Sequence, residues 1–329
     1  MQIGRRTFLA GAALALPRRG RAAPGRFSRS VDRARGLEQL NAIVVAVDGT
    51  ILVDEAVRGP ATDRAVNVKS VSKTLVAALT GAAIDRGVVS GLDATLGTLI
   101  PDLIPADSDP RVGGLTLADL VTMQAGLGRT SGPNYGAWVS SRNWVGYALS
   151  QPFEAEPGAR MLYSTGSYHV LGAALARASG ESLLALARGW LGVPLGIEIP
   201  AWTRDPQGFY LGGNEMALSP RAMLAFGEMY RTGGKGVLSG EWVETSLVAR
   251  TRSPFSGLDY GYGWFLGQAG GRRIALARGY GGQLIVLVPD LALTVVVSSD
   301  PTLPARSEGY FGDLLDLVGQ TVIPNAEAG

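Results

Sequence analysis

The 329-residue sequence predicts a mixed α/β (α+β) fold, in which an antiparallel sheet is built from both chain ends and flanked by helices. Two strand-like runs, residues 41–47 and 51–56, are joined by Asp48-Gly49-Thr50, and Asp-Gly between apolar runs is typical of a hairpin. From Tyr260 onward, short apolar segments alternate with Gly-rich or Pro-Asp turns. The chain between these strand regions has a mainly helical pattern, which indicates an inserted helical region.

Helices are predicted from apolar spacing and from start and stop residues. The segment from Ser70 to about Arg86 is apolar nearly all round, which indicates a buried helix, and Gly87 marks its end. Further helices are expected at about residues 96–100, 115–121, 168–177, 182–190, 220–230, 241–248 and 309–322. The later strands are expected at residues 262–266, 274–276, 284–288 and 291–297.

These elements predict two regions behind an N-terminal segment. Residues 23–95 and 249–329 form the sheet-containing region, residues 96–248 form the helical region, and we expect the active site between the two. The sequence carries no signal for an oligomeric state.

The N-terminus resembles a twin-arginine (Tat) export signal. Arg5-Arg6 precede a short apolar run, and small residues follow at Ala22 and Ala23, so residues 1–22 are interpreted as a signal peptide. An amphipathic N-terminal helix is the alternative. The run is too short for a stable membrane span, and we expect a periplasmic or secreted protein. Without residues 1–22 the charge falls from +2 to about −3, which gives no nucleic-acid footprint.

Composition excludes several kinds of site. The hydrophobic fraction of 46% and the charged fraction of 18% indicate a globular protein. The absence of cysteine excludes a cysteine nucleophile, disulfides and thiolate metal sites. The only histidine is His169, which excludes a zinc hydrolase with two or three imidazole ligands. No metal or other cofactor is therefore predicted.

The predicted chemistry centres on Ser70-Val71-Ser72-Lys73, where the buried helix starts. Residues three apart share a helix face, so the Lys73 amine can reach the Ser70 hydroxyl. A serine hydroxyl needs a base beside it, and burial lowers the pKa of an unpaired lysine. The chain has only three lysines against 27 arginines, and arginine cannot act as the base. A helix N-cap serine followed by a surface lysine is the alternative.

Two further segments contain groups that would complete such a site. In Tyr163-Ser164-Thr165-Gly166, a tyrosine before a helix can bring its phenol next to a lysine and move protons. On its own, a packing tyrosine is the commoner case. The glycines of Arg278-Gly279-Tyr280-Gly281-Gly282-Gln283, which opens a strand, let a substrate approach the main chain. A free N–H there and that of Ser70 can form an oxyanion hole, whereas a tight turn is the alternative.

Together these segments resemble the serine β-lactamase and penicillin-recognising superfamily, and within it the class C β-lactamase, carboxylesterase and 6-aminohexanoate-dimer hydrolase group. Ser70-Val71-Ser72-Lys73 matches the first motif of that family. Tyr163-Ser164-Thr165 stands where the family has Tyr-x-Asn, and Gly279-Tyr280-Gly281-Gly282 where it has Lys-Thr-Gly or His-x-Gly. The resemblance covers roughly residues 35–322 and implies a β-lactamase/transpeptidase-like fold.

The resemblance also implies a role for each matched residue. Ser70 is the acylating nucleophile, Lys73 is its base or proton relay, and Tyr163 activates the deacylating water and protonates the leaving group. The backbone N–H of Ser70 and that of Gly282 (or Tyr280) hold the oxyanion. His169, within a helix, is interpreted as structural.

Departures from the family pattern bear on the substrate. Thr165 replaces the asparagine that bridges the lysine and a substrate amide, and Gly279 or Tyr280 replaces the basic residue that holds a substrate carboxylate, although Arg278 is close by. Because β-lactams and D-Ala-D-Ala peptides carry that carboxylate, we rank esters and uncharged amides above them. The candidate substrate-binding residues are Thr165, Tyr135, Trp138, Asn214 and Trp264.

The sequence therefore predicts an exported serine hydrolase that cleaves a small ester or amide through an acyl-enzyme on Ser70. The first alternative is a D-Ala-D-Ala carboxypeptidase, penicillin-binding protein or true β-lactamase. The second is a non-catalytic binding domain that kept the fold. An α/β-hydrolase is disfavoured because the chain has no Gly-x-Ser-x-Gly elbow.

Overall fold

The computed structural model describes residues 18–19 and 25–328. The predicted signal segment, residues 1–22, lies outside the described residues except for Arg18–Arg19, which form a short strand. The strands are β1 Arg18–Arg19, β2 Leu40–Val47, β3 Thr50–Ala56, β4 Val66–Asn67, β5 Ala217–Leu218, β6 Thr251–Arg252, β7 Asp259–Tyr260, β8 Phe265–Ala269, β9 Arg272–Gly279, β10 Gln283–Val288 and β11 Leu293–Ser299. The α-helices are α1 Ser28–Arg35, α2 Val71–Asp85, α3 Leu96–Leu99, α4 Leu117–Val121, α5 Tyr135–Val139, α6 Trp144–Leu149, α7 Thr165–Ser179, α8 Leu183–Leu186, α9 Val193–Leu195, α10 Pro220–Arg231, α11 Gly240–Ser246, α12 Tyr310–Leu317 and α13 Ile323–Glu327.

One large sheet organises the molecule. Its nine strands run in the order β1-β3-β2-β11-β10-β9-β8-β7-β6, and all pair antiparallel except β1 with β3. Strand β2, from the N-terminal part of the chain, pairs directly with β11 near the C-terminus. The predicted mixed fold, with one sheet made from both chain ends, is therefore confirmed.

The predicted N-terminal hairpin is also present. Asp48 and Gly49, between β2 and β3, have φ angles of 46° and 74°. Two consecutive residues with positive φ give a turn whose twist matches that of the flanking antiparallel strands. The Asp-Gly pair is thus what the backbone requires at this position.

Helices cover both faces of the sheet centre. Every residue of β10 and β11 is buried, which requires cover on both sides. On one side lies α10, where a Cβ at Gly227 would come within 2.8 Å of Ile285. Arg26, just before α1, donates to the carbonyls of Asn325 and Ala326 in α13 and so joins the first and last helices. Helix α10 falls inside the predicted helical region, residues 96–248, yet it packs on the sheet.

Helix α2 is buried on all sides, as the sequence predicts: each residue from Val71 to Ala83 is buried. It contacts β9 and β10 of the sheet and also α7 of the helical insertion. Its N-terminus, with Ser70, therefore lies where sheet and insertion meet.

Some predicted boundaries are wrong. The strand expected at residues 262–266 begins only at Phe265, and the helix expected at 182–190 is α8 followed by a π-helical turn, Ala187–Gly192. The glycine motif expected to open a strand instead ends β9 and forms the following turn. Within the described chain no single helix is long and apolar enough to cross a membrane, and only α7 with Leu183–Leu195, bent by 82°, passes that test as a pair.

Candidate active site

A cavity of about 480 Å³ opens beside Ser70, at the N-terminus of α2. Tyr163 and Thr165 line it from the start of α7, and Arg278, Gly279 and Tyr280 line it from the end of β9. The structure thus brings the three motifs singled out in the sequence to one cavity. Other lining residues include Lys69, Ser131, Tyr135, Asn214, Glu215, Phe255 and Ser307.

The Lys73 amine makes three contacts in a buried position. Its Nζ lies 3.0 Å from Ser70 Oγ, 3.2 Å from Thr165 Oγ1 and 2.6 Å from the Gly213 carbonyl oxygen. The residue is 2% exposed, and burial lowers the pKa of the amine from 10.5 to about 7. A large fraction of the amine is therefore neutral near neutral pH.

These contacts orient the neutral amine toward Ser70. A neutral amine has two N–H bonds and one lone pair. The Gly213 carbonyl and Thr165 Oγ1 take up the two N–H groups, which leaves the lone pair for the Ser70 O–H. Thr165 thus reaches the lysine with its hydroxyl, although it is shorter than the asparagine of the family pattern.

The loop that carries Ser131 holds Thr165 in place. Ser131 Oγ accepts the backbone N–H of Thr165 at 2.8 Å and lies 2.9 Å from Thr165 Oγ1. Thr130 Oγ1, next to it, accepts the N–H of Gly166 at 2.8 Å. The first turn of α7 is therefore capped by two hydroxyl side chains from another part of the chain.

Tyr163 lies beside both Ser70 and Lys73. Burial raises the pKa of its phenol, while the nearby Ser70 hydroxyl and the positive charge of Arg278 oppose that rise. The Lys73 Nζ lies 4.9 Å above the centre of the Tyr163 ring. The phenol is neutral near pH 7 and suited to donate a proton.

The oxyanion hole can be assigned from the turn after β9. The Gly282 N–H donates to the Gly279 carbonyl at 3.2 Å, so Gly282 is not the free donor that the sequence analysis offered first. In a trans peptide the N–H points opposite to the carbonyl, and the described residues contain no cis bond. Because the Gly279 carbonyl points into the turn toward Gly282, the Tyr280 N–H of the same peptide points the other way, and Tyr280 is one of the residues that line the cavity.

Gly279 allows the two oxyanion donors to approach each other. A Cβ on Gly279 would lie 2.4 Å from the Val68 carbonyl oxygen and 3.2 Å from Lys69 Cβ. The end of β9 therefore touches the segment directly before Ser70. With this spacing the N–H groups of Ser70 and Tyr280 can face the same carbonyl oxygen.

An ion pair fixes the segment before Ser70. Lys69 Nζ lies 2.9 Å from Glu215 Oε1, and Asn67 donates to the same carboxylate at 2.6 Å. Both Lys69 and Glu215 have positive φ angles, 49° and 67°, which non-glycine residues rarely adopt. Strained residues held by a local network are typical of active sites.

Arg278 brings a positive charge to the cavity. Its guanidinium donates to the Ala305 carbonyl at 3.2 Å and lies 3.4 Å above the centre of the Phe311 ring. Burial lowers its pKa to about 10, and in the described part of the chain no carboxylate forms an ion pair with it.

The candidate substrate-binding residues divide into two groups. Thr165, Tyr135 and Asn214 line the cavity, and Asn214 Nδ2 donates to the Tyr135 hydroxyl at 3.1 Å. Trp138 and Trp264 are fully buried elsewhere, so their assignment as pocket residues is corrected. Trp264 packs against Phe226 and Tyr230. Both tryptophans belong to apolar core clusters, which is the commoner role of a large aromatic side chain.

His169 lies away from the cavity. It is fully buried, and its Nε2 is 2.9 Å from Asp205 Oδ2. Trp138 and Trp144 pack edge-on against its ring.

Sequence reasoning missed the parts played by Ser131, Glu215 and Phe255 at the cavity. Nothing in their local sequence distinguishes them from loop residues. Arg278 carried a usable signal, because it directly precedes Gly279 of the third motif. Within residues 18–19 and 25–328, no group of three or more His, Asp or Glu side chains could hold a metal ion.

Comparison with solved structures supports the same fold. A 6-aminohexanoate-dimer hydrolase from Bacillus anthracis, so assigned provisionally, superposes with a TM-score of 0.73 at 19% identity, over 88% of this chain and 79% of that one. EstCE1, a hydrolase with promiscuous acyltransferase activity, superposes with a TM-score of 0.72 at 20% identity, over 89% of this chain and 96% of that one. A penicillin-binding protein homologue from Caulobacter crescentus superposes with a TM-score of 0.73 at 14% identity, over 92% of this chain and 98% of that one.

The sequence itself matches one family over most of its length. The profile of the Beta-lactamase family covers residues 37–316, which include Ser70, Lys73, Tyr163 and the Gly279–Gly282 turn. The chain therefore belongs to the Beta-lactamase family.

Proposed function

We propose that this protein is a hydrolase that cleaves an ester or amide bond through an acyl-enzyme on Ser70. The observation that carries the proposal is the 3.0 Å contact between Ser70 Oγ and the buried Lys73 amine, which has no carboxylate partner among the residues that the structure describes. A lysine held this way can be neutral and accept a proton from the serine, which a solvated lysine cannot do near neutral pH.

In acylation, the Ser70 oxygen attacks the substrate carbonyl carbon while its proton passes to Lys73. The developing oxyanion is held by the N–H groups of Ser70 and Tyr280. When the bond to the leaving group breaks, the neutral Tyr163 phenol donates its proton to the departing oxygen or nitrogen. The products of this step are the free leaving group, a Tyr163 phenolate, a protonated Lys73 and the acyl-enzyme.

Deacylation returns both groups to their starting state. The Tyr163 phenolate takes a proton from water, and the resulting hydroxide attacks the acyl carbon. As the ester bond breaks, the Ser70 oxygen recovers a proton from Lys73. One water is consumed in the cycle and the net protonation of the enzyme is unchanged.

Intact-protein mass spectrometry tests the proposal directly. The protein is incubated with chromogenic esters, amides and a fluorophosphonate probe, and the adduct is then mapped to a peptide. We expect a single adduct on the peptide that contains Ser70, and no adduct for Ser70→Ala or Lys73→Ala. Lys235→Ala is the matched control, because Lys235 is exposed and is one of the three lysines. Full esterase activity in Ser70→Ala would exclude the mechanism, and a complete lack of probe reaction would favour a binding domain.

Arg278 favours a second candidate, hydrolysis of substrates that carry a carboxylate, such as β-lactams or D-amino-acid peptides. The guanidinium lies in the cavity wall with no acidic partner among the described residues, and its lowered pKa reflects uncompensated burial. A substrate carboxylate would supply the missing charge and could bind in a bidentate manner. In this second candidate, Arg278 would bind the carboxylate in place of the basic residue that Gly279 or Tyr280 replaces in the third motif.

Paired substrates separate the two candidates. Each ester or amide is assayed with a free carboxylate and with that carboxylate methylated. If Arg278 binds the carboxylate, Arg278→Gln lowers kcat/KM about 10- to 100-fold for the charged member only. Arg273→Gln, on the same strand and 81% exposed, is the matched control. Equal losses on both members would assign Arg278 to packing, and covalent labelling by a fluorescent penicillin would favour the second candidate.

We also propose that the protein is exported. The support is the Arg5-Arg6 pair followed by a short apolar run and small residues. Cell fractionation of the wild type and of a variant with Arg5→Lys and Arg6→Lys tests it. Export of the wild type only is expected, and cytoplasmic retention of both would exclude a twin-arginine signal.

A further inference from the structure

We propose that His169 is a positioning residue for this reaction, because it holds the backbone segment whose carbonyl fixes the Lys73 amine. The inference rests on the proposed function, since that function makes the amine the base for Ser70. Neither the family pattern nor the cavity lining points to His169. The argument comes from a chain of contacts that begins outside the cavity.

The chain runs through two adjacent glycines. The Gly213 carbonyl makes the shortest of the three contacts to the Lys73 amine, at 2.6 Å. The N–H of Gly212, the preceding residue, donates to His169 Nδ1 in a long hydrogen bond of 3.4 Å. The imidazole therefore holds the Leu211–Gly212 peptide, two peptide units before the Gly213–Asn214 peptide whose carbonyl orients the amine.

His169 is itself held on its other side. Its Nδ1 accepts the Gly212 N–H, so the ring proton is on Nε2 and is donated to Asp205 Oδ2 at 2.9 Å. Asp205 Oδ1 accepts the N–H groups of Gln207 and Phe209 at 2.9 and 2.8 Å. Both side chains are 0% exposed, so water does not compete for these bonds.

The glycine segment lies directly against helix α7. A Cβ on Gly212 would lie 2.1 Å from the Tyr168 carbonyl oxygen, and one on Gly213 would lie 3.0 Å from the Thr165 carbonyl oxygen. Thr165 and His169 are four residues apart on α7 and so share one face. One helix therefore presents a partner of the amine, Thr165 Oγ1, and also fixes the position of the other partner, the Gly213 carbonyl.

This arrangement has a consequence for the reaction geometry. If Gly212 loses its acceptor, the Gly213 carbonyl can shift, and the lone pair of Lys73 no longer points at the Ser70 hydroxyl in every molecule. Small displacements of a catalytic group reduce rate much more than they reduce substrate binding. His169 is not one of the residues that line the cavity, so the effect should fall on kcat and not on KM.

Two substitutions separate this role from a purely structural one. In His169→Asn, the side-chain oxygen takes the place of Nδ1 and can still accept the Gly212 N–H, while the Asp205 bond is lost. In His169→Gln, the amide nitrogen takes the place of Nε2 and keeps the Asp205 bond, while the Gly212 acceptor is lost. The first variant therefore weakens the buried pair, and the second weakens the positioning of Gly213.

The test measures kcat, KM and Tm of both variants on one chromogenic ester. We expect His169→Gln to lose about tenfold in kcat with an unchanged KM and a small change in Tm. We expect His169→Asn to have the lower Tm but to retain kcat within about twofold. If kcat follows Tm in both variants, or if His169→Gln keeps the wild-type kcat, the inference is overturned.

Lys73→Ala in the same assay distinguishes this failure from failure of the proposed function. If Lys73→Ala is inactive while His169→Gln is fully active, only the role of His169 is wrong. If Lys73→Ala is as active as the wild type, the proposed function fails as well.

Discussion

Two parts of the cavity differ in whether their polar groups have hydrogen-bond or charge partners within the protein. At the lysine wall, formed by Ser70, Lys73, Thr165 and Gly213, each contact of the buried amine is a hydrogen bond within the protein. At the arginine rim, formed by Phe255, Arg278 and Tyr280, a guanidinium has no acidic partner among the described residues, and the two aromatic side chains are 59% and 54% exposed. A matched wall is preorganised for a reaction step, whereas unmatched groups remain free for a substrate.

The largest effect on activity is expected when the lysine wall loses its base. Lys73→Ala should lower kcat/KM by about three orders of magnitude or more, and Lys73→Arg should not restore it because arginine remains protonated. In the wild type, kcat/KM should fall about tenfold per pH unit below a midpoint near 7, as the amine becomes protonated. Steady-state kinetics from pH 5 to about pH 9 measures both effects.

One combination of results would contradict that prediction. A wild-type profile without an acid limb near pH 7, combined with an active Lys73→Arg variant, would show that Lys73 is not the base. Lys235→Ala should keep the wild-type profile.

The next effect concerns the proton donor beside Ser70. Tyr163→Phe should lower kcat about 100-fold, because the leaving group and the deacylating water lose their proton partner. The acyl-enzyme should then accumulate and be visible by intact mass. Tyr147→Phe, outside the cavity lining, is the control. A Tyr163→Phe variant with unchanged kcat would leave the phenol with a packing role only.

The buried amine should also cost stability. Since its pKa is lowered from 10.5 to about 7, the unfolded chain binds more protons between these values. The stability of the wild type therefore falls as pH decreases from 10.5 to about 7. Lys73→Met removes the desolvated amine but leaves the Gly213 carbonyl and Thr165 Oγ1 without their donor. We therefore expect the free energy of unfolding to rise by a net amount of about 2 kcal/mol near pH 7.

Denaturant unfolding at several pH values measures that gain. It should shrink as pH rises from about 7 to 10.5. A gain that is the same at all pH values would indicate a packing effect in place of a titration effect.

The smallest effect is expected at the arginine rim. Phe255→Ala should raise KM about fivefold for esters with a bulky apolar group, because that side chain lines the cavity and has surface left to bury. Esters with a small acyl group should be unaffected. Val193→Ala, which removes a side chain that is 77% exposed and outside the cavity lining, is the control. Equal KM changes for large and small esters would remove Phe255 from substrate binding.

Much of the fold follows from local pattern. The Asp48-Gly49 turn, the apolar helix after Ser70 and the later strands have strong periodic or turn signals, and the structure contains each of them. The helix after Ser182 was predicted as regular, but it widens into a π-helical turn at Ala187–Gly192. Backbone hydrogen bonding of that kind depends on tertiary packing, which apolar spacing does not encode.

The site was less predictable. Ser70, Lys73 and Tyr163 could be singled out because their residue types carry chemistry. Trp138 and Trp264 were not distinguishable from pocket aromatics, since burial is decided by residues far away in sequence. The choice between Gly282 and Tyr280 required the direction of one carbonyl group, that of Gly279.

The burial of helix α2 has a consequence for how the protein fails. Segments with no exposed surface open only when the whole domain unfolds, and α2 is buried along nearly its full length. Lys73 is buried in the first turn of this helix, so we expect the amine to leave its position only when the whole domain unfolds. Heat should therefore abolish activity and structure at the same temperature, with no intact but inactive form in between.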